Sequence, residues 1–589
     1  MMAEPANPST AMATTLVDEL ARNGVTDVVV SPGSRSTALA IAAVRHPGLA
    51  VHVRHDERSA GFLALGLARV SSRPAVVVTT SGTAVANLVP AVAEADASGI
   101  PLVVLSADRP VELHDVGANQ TLAQAALFGR LARWQVDLPA ASGVVGEPDL
   151  WRSTACRVVA TARGVGGGQA AQAGTGGPAG PVHCNVAFRE PTVPALDDGR
   201  SVAAPYPHPV TGRRGGRPWT EYRAGATDVD GLVEELLAAW GDARVVVVAG
   251  DTPHPVVGLD DLSWPVVAEP TAGPTAVAGI PHGSLLVGSA AWRGQHRPDV
   301  VLRLGHPTLA QGALAQLGEV ATVQVTESGV VDPARQATHA VTAAPNAFVA
   351  ALGRALAARP GHHARVTEWR EAWQAAGTRA REVVTAHLDG PDAPEPAVAR
   401  RVVTATGTRP LVVASSLPIR DVADFAAPAA DGTGRVHANR GLAGIDGFVS
   451  TAVGVALAAG PTVALAGDLS FLHDHNGLLV PDAAAVDLDL VIVDNDGGGL
   501  FHHVPAVQVP EFEHVFATPH GRDLVAVARA AGVAAEAVGI DEVAGALARP
   551  PAGLRVVVVR TDRRAGAAAR NAIRHELDHA LSSGSARGA

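Results

Sequence analysis

Lysine is absent: all 46 basic side chains among the 589 residues are arginine. A Walker phosphate loop needs its lysine, and pyridoxal phosphate enzymes and Schiff-base aldolases need a lysine amine, so those classes are excluded. Any anionic ligand has to be gripped by guanidinium groups, which favour planar bidentate contacts to carboxylates. Cysteine is scarce too. Cys156 and Cys184 offer neither a metal-ligand spacing nor a disulfide framework and read as buried thiols. Apolar stretches are broken by Gly, Pro and Asp well before membrane-spanning length. The N-terminal stretch carries acids and has no basic start leading into an apolar core. These absences predict a cytoplasmic protein with no membrane insertion. A net charge of −11 argues against a nucleic-acid partner.

What is present is apolar surface to bury. Hydrophobic residues make up 47% of the chain and charged residues 17%, and the length exceeds what one core can organise. The chemistry concentrates in residues 461–505. The apolar run Val463 to Ala466 ends at Gly467-Asp468, and the run Leu488 to Val493 ends at Asp494-Asn495-Asp496-Gly497. Two strands therefore deliver oxygen-bearing side chains at their carboxyl ends, where open α/β sheets bind ligands. A hard, octahedral cation wants carboxylate, amide and carbonyl oxygens together with phosphate oxygens, and Asp468, the Asn495 side chain and the Gly497 carbonyl can supply the protein's share. Either half alone is equally readable as turn chemistry; the pair on successive strands points to a metal–diphosphate clamp.

The N-terminal part repeats this pattern of strand, polar turn and helix. The strand Asp27 to Val30 runs into Ser31-Pro32-Gly33-Ser34-Arg35-Ser36, which reads either as a helix cap or, with Arg35, as an anion site. Asp56 is placed to cap a helix apolar on nearly every face from Ala60 to Val70. Glu57 then lies in its first turn, as a dipole-favoured acid or as a catalytic one. The strand Ala75 to Thr79 ends in Thr80-Ser81-Gly82-Thr83, a strand from Leu102 to Leu105 breaks at Asp108-Arg109, and ELHDVGANQT puts Asn119 and Gln120 in a polar loop. Residues 163–181 are Gly- and Ala-rich and read as a surface excursion. Residues 192–220, rich in Pro, Gly and Arg, read as a linker. The region 221–355 alternates strands (Arg244 to Ala249, Val300 to Leu304, Thr322 to Val325) with helical segments and has no GxGxxG fingerprint, so a bound dinucleotide is not expected. A long helix, Ala364 to His387, leads to a last domain in which Ser416, Arg420 and Arg440 follow strands; arginines there are either solvated or bind acidic substrates. The chain ends in a strand Arg555 to Val559, a helix from Ala567 and a small-residue tail expected to be disordered.

The segments SPGSRSTALA, HDERSAGFLALGLAR, TTSGTAVANLVPAV, ADRPVELHDVGANQT, GPVHCNVAFREP, NRGLAGIDG and GDLSFLHDHNGL together resemble the 2-succinyl-5-enolpyruvyl-6-hydroxy-3-cyclohexene-1-carboxylate synthase family of thiamine diphosphate-dependent enzymes, which acts in menaquinone biosynthesis. The matches span both end domains. Leu469 and Ser470 follow Asp468 where the wider superfamily usually has a second glycine. The resemblance implies an α/β chain of three doubly wound parallel-sheet domains: a pyrimidine-binding domain (1–192), a linker (193–220), a central domain (221–390) and a diphosphate-binding domain (391–589).

It also implies a transferase that decarboxylates 2-oxoglutarate and adds the resulting succinyl-semialdehyde carbanion to isochorismate in a 1,4 sense, using thiamine diphosphate with Mg2+ or Mn2+. Glu57 would share a proton with the aminopyrimidine. Ser81, Gly82, Gly467, Asp468, Leu469, Ser470, Asn495, Gly497 and Gly498 would contact the cofactor, with Leu500, Phe501 and Val504 as an apolar wall. Asp468, Asn495 and Gly497 would hold the metal, and Ser34, Arg35, Arg109, Asn119, Gln120, Ser416, Arg420 and Arg440 the two dianionic substrates. The active unit would be a homodimer or homotetramer with sites between subunits. A Lys-Arg pair common in the family's middle domain falls here on Gln311 and Gly312. The rivals are another thiamine diphosphate carboligase such as an acetohydroxyacid synthase, a nucleotide-binding or structural α/β protein, and an inactive paralogue. The number of arginines around the site disfavours the first, because pyruvate carries one carboxylate.

Overall fold

The computed structural model describes residues 7–165, 177–194, 205–222, 229–273, 279–317, 320–327, 332–359, 363–426, 434–550 and 552–583. Most of the Gly- and Ala-rich excursion and of the C-terminal tail, and the side chain of Gln311, lie outside them. Contacts divide the chain into two compact units. One comprises Met1–Ala226 with Asp446–Gly460 and Asp474–Ala483; the other comprises Thr227–Ile445, Pro461–His473 and Ala484–Ala589.

Three parallel sheets carry the fold. The first contains β1 (Asp27–Val30), β2 (Ala50–Val53), β3 (Ala75–Thr79), β4 (Leu102–Asp108), β5 (Trp134–Leu138) and β6 (Val182–Ala187), in the order β2-β1-β3-β4-β6-β5. The second contains β7 (Val245–Ala249), β8 (Val266–Ala268), β9 (Val300–Leu304), β10 (Ala321–Thr326) and β11 (Ala337–Thr342), in the order β11-β10-β9-β7-β8. The third contains β12 (Leu411–Val413), β13 (Val436–His437), β14 (Thr462–Gly467), β15 (Leu488–Asp494), β16 (Ala534–Val538) and β17 (Leu554–Arg560), in the order β13-β12-β14-β15-β17-β16. The first and third sheets share one winding order. Their central strands are covered on both faces: β3 is buried throughout, as are Leu488 to Val493 in β15, where Asp489 is the one charged residue and pairs with Arg409 and Arg555.

In the first unit the helix Glu57–Ser71 is buried from Ser59 to Arg69, with Asp56 as its N-cap accepting from the Arg58 and Ser59 amides. It packs on the helix Phe448–Ala459, and glycine permits the approach. A Cβ at Gly66 would lie 2.3 Å from the Thr451 carbonyl oxygen, and one at Gly454 2.3 Å from that of Leu63. Cys156 and Cys184 are free and buried. The described part of the Pro-, Gly- and Arg-rich segment packs closely. Tyr206 enters the first core and donates to Glu147 (2.9 Å), and the Trp219 amide donates to the buried Glu19 (2.6 Å). In the second unit the helices His363–Leu388 and Arg563–Ser583 share a core built from Trp369, Trp373, Val384, Ile573 and Leu577. Among the described residues no helix is long and apolar enough to cross a membrane.

Candidate functional site

In the third sheet β12, β14 and β15 are neighbours, so the residues after them, Ser415-Ser416, Asp468 and Asn495, meet at one edge. That edge is the switch point, where chain leaving β12 goes one way to β13 and β14 lies on the other side. A cavity of about 270 Å³ opens there. Its lining includes Ser416, Arg420, Arg440, Gly467, Asp468, Leu469, Ser470, Asn495, Gly497, Gly498, Leu500 and Phe501. Of the residues expected in this domain's site, Val504 alone is not part of that lining, and its side chain is 39% exposed. The 3-10 turn Gly499–His503 ends before it, and extended backbone at Val504 carries the chain outward.

Asp468 organises the clamp. It is buried, and its Oδ2 accepts from the Gly497 amide (2.8 Å) and the Asn495 amide (3.2 Å) while Oδ1 accepts from Leu469 (2.6 Å). Burial pushes its pKa up to about 6, and the backbone donors and His520 pull against that shift. The loop that follows needs glycine. Gly497 has φ +134°, and a Cβ there would sit 2.0 Å from the Ala517 carbonyl oxygen. The Gly498 amide donates to that same carbonyl at 2.7 Å. The Asn495 side chain donates its Nδ2 to Glu395 (2.8 Å), which leaves Oδ1 buried with no donor. An orphaned amide oxygen beside a buried carboxylate is the donor set a hard cation coordinates. Asp468 and Asn495 therefore fit a divalent metal, with cavity space for a diphosphate, and the Gly497 carbonyl, which accepts from the Gly499 amide at 2.9 Å, has a second lone pair to add.

Three further features of this cavity are polar. Ser416 holds φ +73° and ψ −132°, a backbone conformation that costs a non-glycine residue about 1–3 kcal/mol and that concentrates at functional sites. The Arg420 guanidinium donates to the Ser416 carbonyl at 2.6 Å, and burial lowers its pKa. Arg440 is buried and donates to Thr308 Oγ1 (3.1 Å) and Ser415 Oγ (3.2 Å). Through Thr308 the loop after β9 reaches the site. That loop is itself fixed by buried Glu269, whose carboxylate accepts from the Thr308, Leu309 and Ala310 amides.

The first unit brings together a second set at the carboxyl ends of β1, β3 and β4. Gly33 lies against Thr80, where a Cβ would be 2.3 Å from the threonine Cβ. The buried Arg109 donates to Ser81 Oγ and to the Gln120 carbonyl (2.6 Å); Gln120 Nε2 donates back to the Ser81 carbonyl (2.9 Å). Burial, and next the nearby positive charge of Arg35, lower the pKa of Arg109. Gly82 has φ +82° and donates its amide to Gln124. Arg35 donates to the Phe188 carbonyl and pairs with Glu190 at 3.2 Å. Ser34 and Asn119 stay exposed on their loops. The capping alternative for the serine-rich turn is not realised: Ser36 makes no side-chain cap and turns its hydroxyl back to the Gly33 carbonyl. Glu57, the first residue of its helix, is half-buried.

Sequence reasoning missed the groups behind the clamp. Glu395, Asp421 and Arg570 form a buried ion cluster directly behind Asn495. His520 lies 3.3 Å from Asp468, and ligand atoms of Asp468, Asp494 and His520 lie within 4.8 Å of one another. Nothing near residues 395, 421, 520 or 570 forms a spacing motif, so no local signal marks them; their partners are 52 to 175 positions away.

Comparison with known proteins gives the family. Residues 10–127 match the thiamine pyrophosphate enzyme N-terminal TPP binding domain, and residues 423–560 the C-terminal TPP binding domain. The chain is similar to the 2-succinyl-5-enolpyruvyl-6-hydroxy-3-cyclohexene-1-carboxylate synthase of Saccharopolyspora erythraea, at 41% identity over 95% of this chain and 96% of that protein. It is also similar to the synthases of that name from Thermobifida fusca (41% identity; 98% and 100%) and Kineococcus radiotolerans (43%; 95% and 96%). With about 40% identity and near-complete coverage on both sides, the chain belongs to the 2-succinyl-5-enolpyruvyl-6-hydroxy-3-cyclohexene-1-carboxylate synthase family of thiamine diphosphate-dependent enzymes.

Proposed function

We propose that this protein decarboxylates 2-oxoglutarate and transfers the succinyl-semialdehyde unit to isochorismate by 1,4-addition, as a cytoplasmic step of menaquinone biosynthesis. The observation that carries the reading is the cavity at the third sheet's edge, where an oxygen clamp with an orphaned Asn495 Oδ1 converges with Arg420 and Arg440. Bound thiamine diphosphate supplies the electron sink that makes loss of CO2 from a 2-oxo acid accessible. The chain's own residues do the rest. Asp468, Asn495 Oδ1 and the Gly497 carbonyl hold Mg2+ or Mn2+ against the diphosphate. The Glu57 carboxyl holds a proton at the aminopyrimidine nitrogen. Arg420 and Arg440 in one set, and Arg35, Arg109 and Gln120 in the other, grip the carboxylates of two dianionic substrates, with Ser34, Asn119 and Ser416 as neutral contacts. Leu500 and Phe501 keep water from the reacting carbons. A homodimer, or a tetramer of such dimers, completes each site by presenting Glu57 of one protomer to the clamp of its partner. The domain division that goes with this assembly is 1–192, 221–390 and 391–589.

The test follows 2-oxoglutarate, isochorismate and CO2 with purified protein and Mg2+, with and without thiamine diphosphate. Cofactor-dependent loss of both substrates in equal amounts, abolished by Glu57→Gln, is the expected result. Consumption of pyruvate in place of 2-oxoglutarate would overturn the substrate assignment, and turnover independent of the cofactor would overturn the mechanism.

A further inference from the structure

The Asn495 amide has two ends, and only one of them can serve a cation. Glu395 faces the nitrogen end. Its Oε2 accepts from Asn495 Nδ2 at 2.8 Å and from Thr561 Oγ1 at 2.7 Å; its Oε1 accepts from Arg570 Nη2 at 2.8 Å. Glu395 and Arg570 are buried, at 4% and 1% exposure, so water does not offer Nδ2 another acceptor there. An ionised carboxylate only accepts hydrogen bonds, so an amide turned end for end would set oxygen against oxygen. The side chain and main chain of Asn495 are closely held. A Cβ on Gly499 would come within 2.8 Å of Asn495 Nδ2, and Arg563 Nη1 donates to the Asn495 carbonyl at 3.2 Å. The Asn495 Oδ1 that results has no donor and belongs to a side chain lining the cavity beside Asp468.

We propose that Glu395, held in place by Arg570 and Thr561, is the positioning residue that locks the Asn495 amide with its oxygen toward the metal. The role rests on the metal–diphosphate reading of the clamp. Glu395 touches neither metal nor substrate in this scheme; it acts only through Asn495. Outer partners of this kind set metal affinity by about 10- to 100-fold.

The experiment titrates the full-length protein, saturated with thiamine diphosphate, with Mn2+ and reads free Mn2+ by electron paramagnetic resonance; metal-free melting curves run in parallel. Glu395→Gln offers an amide that can donate to Asn495 and let it turn, so its Mn2+ Kd should rise about 10- to 100-fold with little change in metal-free melting. Glu395→Asp keeps the buried negative charge and draws the carboxylate back by one methylene; about a 3- to 10-fold loss is expected, and this variant carries the test if the glutamine variant does not fold. The exchange Glu395→Gln with Asn495→Asp conserves the buried charge and presents oxygen whichever way residue 495 turns, so it should bind Mn2+ more tightly than Glu395→Gln alone. Wild-type affinity in both single variants, or an exchange variant no better than Glu395→Gln, overturns the positioning role, while loss of Mn2+ in Asp468→Asn leaves the clamp standing. A wild-type protein that binds no Mn2+ with the cofactor overturns the clamp reading itself, and the role of Glu395 with it.

Discussion

Replacing Gly66 by alanine separates two opposed effects whose sizes decide the sign. Gly66 lies inside the helix Glu57–Ser71, where alanine would gain about 1 kcal/mol of helix propensity. The added methyl would sit 2.3 Å from the Thr451 carbonyl oxygen and 3.1 Å from Gly454 Cα. A carbon and a carbonyl oxygen rest at about 3.3 Å or more, so the two helices must part by roughly 1 Å. The obstacle is backbone on both sides, and no rotamer change relieves it. Overpacking of this kind costs about 1–3 kcal/mol, and the rigid neighbour puts it at the upper end of that range. A net destabilisation of about 1–2 kcal/mol is therefore expected. Gly454→Ala should cost the same, and the double variant less than the sum, because helices already parted accommodate the second methyl. Gly353, in the helix Pro345–Ala357, has nothing within 4 Å of its Cβ position. Alanine there should stabilise by up to about 1 kcal/mol. Urea unfolding midpoints of the four variants make the comparison, with 2-oxoglutarate turnover as a second readout because Glu57 begins the displaced helix. If Gly66→Ala proved more stable than wild type, as Gly353→Ala should, the close-approach argument would be wrong.

Two more outcomes follow from the same reasoning. Asp474 is fully buried and accepts from the Ser450 amide at 2.8 Å, and burial pushes its pKa from 3.8 up to about 6. Between those values it is protonated in the fold and ionised in the unfolded chain, so its contribution to stability falls as pH rises through the window, by at most about 3 kcal/mol, and is flat above it. Asp474→Asn should lack this slope, and unfolding midpoints that stay parallel to wild type from about pH 4 to 8 would refute the assignment. Gly497→Ala must accommodate φ +134° and a Cβ 2.0 Å from the Ala517 oxygen. It should weaken thiamine diphosphate binding by at least about 10-fold in a fluorescence titration with Mg2+; affinity within 2-fold of wild type would show that the loop's backbone does not shape the site.

How much of this was legible in the sequence depended on whether the signal was local. Strand identity was legible because parallel strands covered on both faces read as largely apolar, Val-rich runs. Asp27–Val30, Ala75–Thr79 and Val300–Leu304 fall where expected. Strand ends were less so: β4 continues to Asp108 and β17 to Arg560 because polar side chains at a sheet's edge can keep the backbone paired. The last helix begins at Arg563 rather than Ala567, since Asp562 accepts from the Ala565 amide and starts it early. The end-of-strand set at Asp468 and Asn495 was legible from Gly-Asp and Asn-Asp-Gly, as short-range turn chemistry on adjacent strands, and the structure brings it to one cavity. The groups that orient it were not, because Glu395 meets Asn495 across 100 positions and Arg570 meets Asp421 across 149. Ser416 was expected only through the family resemblance, as a substrate contact; its strained φ has no sequence signature, since glycine is the residue that such a conformation would announce.

The shared winding order of the first and third sheets shows what the fold decides and what it leaves open. In each sheet the strand pair beside the switch point sends its loops to the same edge, and the interiors of β3, β4, β14 and β15 are committed to the core. Only residues at or beyond the carboxyl ends are free to carry chemistry. The slot after β3 holds Ser81 and Gly82, and the slot after its counterpart β14 holds Asp468; the slot after β4 holds Arg109, and that after β15 holds Asn495. Both edges carry guanidinium groups, Arg35 and Arg109 on one and Arg420 and Arg440 on the other, and the third sheet's edge adds the buried Asp468 carboxylate and the orphaned Asn495 Oδ1. Burial lowers the pKa of Arg109 on one edge and raises that of Asp468 on the other. The same burial thus acts with opposite sign on a base and an acid, because it disfavours whichever form is charged.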